Sequence, residues 1–205
     1  QVHGENFELS AFLGSRMHFQ GVRCGDCHEP HSAKTRLPGN WLCLRCHNGG
    51  DSRAPVINPV SHSFHPVFGF DAQGVATNLD LTTYPPTDRL HSGGECINCH
   101  MPQTVYMQRH RRHDHGFTIP DPLLTRELGI PNACNRCHTD QSVDWAVEWT
   151  ERWYGPRLER HSRQRTRAIA KARNVESGAH GGLLSLITRE EIPYWRAVAI
   201  GLLRP

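Results

Sequence analysis

Cys24-Gly25-Asp26-Cys27-His28-Glu29-Pro30-His31 is the stretch on which the reading of this chain turns. Its first five residues form a Cys-x-x-Cys-His string. The string returns three times, as Cys43-Leu44-Arg45-Cys46-His47, Cys96-Ile97-Asn98-Cys99-His100 and Cys134-Asn135-Arg136-Cys137-His138. With eight Cys and fifteen His in 205 residues, chance would produce it about 0.02 times. The four strings contain every cysteine of the chain.

Cys-x-x-Cys-His is the attachment pattern of c-type haem. Two cysteines three apart reach the two vinyl groups on one edge of a porphyrin and form thioethers. The next residue then turns its imidazole toward the iron. The strings therefore predict four covalently bound haem c groups, attached through Cys24, Cys27, Cys43, Cys46, Cys96, Cys99, Cys134 and Cys137. His28, His47, His100 and His138 are the expected proximal ligands. Two plainer uses compete. Paired Cys-x-x-Cys knuckles hold structural zinc with four ligands, and two such sites would use eight cysteines. That leaves unexplained why a histidine follows the second cysteine in all four strings. A disulfide scaffold would need no histidine.

Eleven histidines lie outside the strings, and four bis-histidine haems would use four of them. His31 lies three residues past a proximal ligand, on the wrong side to reach that iron's far face, so as a ligand it would serve a neighbouring haem. His62 and His65 are three apart, a spacing that puts both on one side of a helical turn; His65 is favoured and His62 is the runner-up. In the run His110-Arg111-Arg112-His113-Asp114-His115, His115 is the choice. The arginines there match haem propionates, because a guanidinium binds a carboxylate bidentately. His18 and His91 each precede a first cysteine by a few residues, with His18 preferred. Met17 and Met101 are rival thioether ligands. His3, His161 and His180 read as non-ligands.

Apolar residues make up 37% of the chain, and Gly and Pro number 18 and 14. A chain so lean in apolar side chains can borrow its core from four flat macrocycles. The expected class is mainly α with extensive loop. Residues 1–139 would form a haem-nucleated cytochrome domain that unfolds without its haem, and residues 140–205 an α-helical segment. Trp145, Trp149 and Trp153 recur every four residues on a helix over 141–154 that Gly155-Pro156 stops. An arginine-rich helix spans 157–174, read as a solvated face or as a docking surface for an anionic partner. Further helices are expected near 178–187 and 193–203, the last with Ile192, Trp195, Val198 or Ala199, and Leu202 inward. A lone helical pair cannot bury its apolar face, so the segment is expected to continue in a longer array or to meet another subunit.

The runs Gly21-Val22-Arg23-Cys24 through His28-Glu29-Pro30-His31-Ser32, Cys96 through Met101-Pro102, Asp114-His115-Gly116-Phe117 and Leu128-Gly129-Ile130-Pro131-Asn132-Ala133-Cys134 resemble the multihaem c-type cytochromes with paired CxxCH motifs. The likeness covers about residues 15–155. It implies electron transfer, supports His31 and His115 as ligands, and implies a following helical segment of HEAT or tetratricopeptide type.

The formal charge of +3 is too small to argue for nucleic acid, and no apolar stretch is long enough for a membrane span. Residues 1–20 lack a secretory signal, so Gln1 reads as the start of a processed chain. Covalent haem attachment implies a periplasmic or extracellular location. Irons with both axial positions filled can only pass electrons, so the expected function is electron transfer between a redox protein donor and acceptor. The chain itself, as a homo-oligomer or filament, is a further expected partner. The alternative is a multihaem oxidoreductase with one open haem acting on a small nitrogen compound. A third reading makes the helical segment the functional part.

Overall fold

A computed structural model describes residues 7–77, 92–106 and 110–203. It is mainly helical, and its contacts divide it into two compact units: residues 1–12 with 17–118, and residues 13–16 with 119–205. The compositional boundary at 139/140 follows the start of the long helices. The contact boundary falls earlier, so the fourth string belongs to the helical unit.

In the first unit, helices α1 (Phe7–Leu13), α2 (Arg16–Phe19), α3 (Cys24–Cys27), α4 (Asn40–His47), α5 (Pro59–Ser63) and α6 (Cys96–His100) are short and joined by loops. Three of the four strings are helical turns here. A turn places residues three apart on one face, so both thiols of a string share a side. Asn58 starts α5 by accepting from the N–H groups of Val60 and Ser61, at 3.1 and 3.2 Å. Gly74 has φ +78°, and a β-carbon there would lie 2.1 Å from Asn58 Oδ1. The unit also contains a hairpin absent from the sequence reading. Strand β1 (Gln103–Tyr106) pairs antiparallel with β2 (His110–His113), with Gln103 opposite His113.

The second unit contains α7 (Pro122–Leu128), α8 (Cys134–Cys137), α9 (Val143–Tyr154), a 3₁₀ turn (Gly155–Leu158), α10 (His161–Arg173), α11 (Ala179–Arg189) and α12 (Pro193–Leu202). Ser142 caps α9 by accepting from Trp145 N–H at 3.1 Å. Ala146, Val147 and Thr150 form the buried face of α9, which packs with α7. Leu183, Leu186 and Ala199 form a core that Ile169, Ala172, Ile187 and Leu202 flank. Of the two residues offered for the inward position of α12, Ala199 is the fully buried one.

Three arginines of the arginine-rich run pair with acids within this unit. Arg163, 6% exposed, donates Nε and Nη2 to the two oxygens of Asp121, at 2.7 and 2.9 Å. Arg165 reaches Glu190 at 2.9 Å, and Arg167 grips Glu127 with two contacts of 2.8 Å. Those three side chains tie elements of this unit to one another.

Candidate functional site

Each string closes on a half-buried histidine. Three of the four have Nδ1 fixed by a backbone carbonyl: His28 to Ala33 O at 2.9 Å, His47 to Pro55 O at 3.0 Å and His100 to Thr118 O at 2.8 Å. A neutral imidazole that donates from Nδ1 presents the Nε2 lone pair outward. This is the arrangement metal-binding histidines usually show.

The histidines outside the strings separate by the same test. His115 donates Nδ1 to His113 O at 2.9 Å, and His65 donates Nδ1 to Ser63 O at 2.6 Å. His113 differs, because both its nitrogens are engaged. Its Nδ1 donates to Met101 O at 2.7 Å, and its Nε2 accepts from Gln103 Nε2 at 2.9 Å. The β1–β2 register that puts Gln103 opposite His113 makes the second bond.

Two rings outside the strings lie near string histidines. The His115 ring centre is 6.3 Å from that of His28, with the planes 35° apart. His62 lies 6.0 Å from His100, with the planes 18° apart. The neighbour of His100 is thus His62, the runner-up in the sequence reading. His62 and His65 part because α5 ends at Ser63 and Phe64 takes a left-handed backbone (φ 56°). His65 then sits against Gly93, where a β-carbon would lie 2.2 Å from its ring.

His31 is exposed in a tight loop. The Glu29 carboxylate accepts from the N–H groups of Ser32 and His31, which hold its pKa below the usual value. Ala33 closes the loop at φ 56°, and His28 and Thr35 form an antiparallel bridge. His18 is half-buried in α2 with its ring 5.2 Å from Phe12. Phe12 lies 6.3 Å from Phe117, which in turn lies 6.3 Å from His115. Met17 and Met101 are half-buried. His91 and His3 lie outside the described residues. Arg112, offered for propionates, pairs with Glu8 at 2.5 Å.

None of the eight cysteines is paired in a disulfide. Burial pushes the Cys27 thiol up, and Cys43 and Cys46 lie near enough to add to the effect. The neighbouring Cys96 thiol lowers the Cys43 pKa, while Cys43 and burial raise that of Cys96. In the second unit burial raises Cys134, and the His138 ring lies 4.8 Å from Trp145. From there indoles continue to Trp149 at 6.3 Å and Trp153 at 5.5 Å. Among the described residues no group of three or more His, Cys, Asp or Glu converges to hold a metal ion.

Sequence reasoning passed over Asn40, which is buried between α4 and the start of α6. The available signal was the Gly93-Gly94 pair directly before the third string, which marks a close backbone approach. Among the described residues no helix is long and apolar enough to cross a membrane. Comparison with family models, curated proteins and solved structures returned no match. The resemblance to paired-CxxCH cytochromes therefore rests on the motifs alone.

Proposed function

We propose that this chain is an exported tetrahaem c-type cytochrome, carrying electrons between a redox donor and acceptor through haems ligated mostly by two histidines. The observation that carries the reading is the fourfold Cys-x-x-Cys-His string, and the spacing of the His28–His115 and His62–His100 pairs, 6.3 and 6.0 Å, is compatible with it. Two imidazoles bound end-on to opposite sides of one metal, each at about 2 Å, have ring centres about 6 Å apart. Packed rings span about 4.5–7 Å, so the attachment strings, and not the distance, single these pairs out as candidate ligands of one iron.

The donor set also fits. A four-ligand zinc site needs a convergent cluster of three or more side chains, whereas haem iron takes only its axial ligands from the protein. Haem would supply one-electron chemistry. The chain would orient each axial imidazole through its Nδ1–H, keep small ligands from the irons by filling both axial positions, and hold successive attachment sites close together. Histidine pairing favours electron transfer over catalysis at an open iron.

Intact mass and the pyridine haemochrome of the purified protein test the reading together. Four haems per chain, low-spin spectra and slow uptake of carbon monoxide are expected. A mass equal to that of the bare polypeptide would end it, and rapid carbon monoxide binding would move it toward the open-haem enzyme.

A further inference from the structure

We infer that Asn40 is a positioning residue that sets the separation of the second and third attachment sites, and with it the electronic coupling of the groups they carry. This rests on the tetrahaem reading above. Asn40 opens α4, three residues before Cys43, and its side chain is among the most deeply buried in the protein, at 2% exposure. Its amide serves two bonds to one distant segment. Nδ2 donates to Gly94 O at 2.7 Å, and Oδ1 accepts from Cys96 N–H at 2.8 Å. One planar group thus ties the second string's helix to the first residue of the third string.

The segment it grips is built for close approach. A β-carbon on Gly94 would lie 2.1 Å from Pro66 O, and one on Gly93 would lie 2.2 Å from the His65 ring. Neither position accepts a side chain without a shift. One turn along on the same side of α4 is Cys43, and α4 packs with α6, which Cys96 opens. The Asn40 bond to Cys96 N–H therefore joins the two strings close to their first cysteines, where a small displacement changes the spacing of what they bear.

A buried asparagine that only stabilised the fold would be replaceable by anything that restored stability. The positioning role makes a different demand, for a donor and an acceptor on an arm of this length. Asn40→Gln keeps both groups on an arm one methylene longer. Asn40→Ala removes both. Thr150→Ala, a buried hydroxyl change on α9 outside the four strings, is the stability control.

The experiment is Soret-region circular dichroism on the holoproteins, with haem counted by mass and pyridine haemochrome. Neighbouring haems produce an exciton couplet whose size falls steeply with their separation. Wild type and Thr150→Ala are expected to share one couplet. Asn40→Ala should lose much of it while retaining four haems, and Asn40→Gln should fall between. If Asn40→Ala does not mature, Asn40→Gln carries the test. A wild-type couplet in a fully loaded Asn40 variant would overturn the inference, as would an equal loss in Thr150→Ala. A wild-type protein without haem would instead overturn the reading beneath it.

Discussion

The working unit of the candidate site is an imidazole whose Nδ1 a carbonyl has claimed. That bond fixes the tautomer and aims Nε2; His115 and His113 both make it, and what distinguishes them is that Gln103 also occupies Nε2 of His113. His115→Ala should therefore leave one iron with an open position. The reduced variant should bind carbon monoxide rapidly, while His113→Ala should keep the low-spin spectrum; equal behaviour of the two would refute the assignment. The cysteines and histidines of the strings are legible because they stand in consecutive residues. Which other histidines lie beside them is not, because that is set by where loops return. The His62–His65 choice turned on one left-handed residue, Phe64, which nothing in its side chain announces.

At the scale of elements, the helices of residues 143–202 were largely legible, since caps and periodicity are local. The role of the arginines on α10 was not, since their acidic partners lie on α7 and beyond α11. Arg163, with its side chain 7% exposed, is tied to Asp121, 13% exposed. Removing it leaves a buried carboxylate uncompensated, so Arg163→Ala should cost about 3 kcal/mol in urea unfolding. Arg126 pairs with Asp144 at 3.1 Å, but the side chains are 51% and 75% exposed. Arg126→Ala should cost less than about 1 kcal/mol. Glu190 supplies the pH dependence of this unit. Burial raises its pKa, but the Ile192 N–H, Arg165 and His161 outweigh burial and leave the carboxyl below its ordinary 4.5. A lowered folded pKa means its contribution is complete above that ordinary value and fades as pH falls through the lower folded one. Unfolding midpoints measured from pH 6 downward should show an acid loss that is shallower in Glu190→Gln.

For the whole molecule, attachment sites are shared unequally between the two units. The strings at Cys24, Cys43 and Cys96 lie in one unit, and the string at Cys134 lies in the other. Replacing Cys134 and Cys137 together with Ser should remove one haem of the four and leave the other three attached, as read by mass. Loss of all four would show that maturation couples the units. Composition alone placed the fourth string with the other three, because the change from loop-rich to helical sequence follows His138.

The indoles leading away from His138 carry one more consequence. Trp145, Trp149 and Trp153 are three of the five tryptophans in the chain, and the first touches the ring that would hold the fourth iron. Excited indoles this near a porphyrin hand over their energy before they can emit. Ultraviolet glow from this unit would thus be dark in finished molecules and bright in unfinished ones, so the protein carries its own optical gauge of assembly.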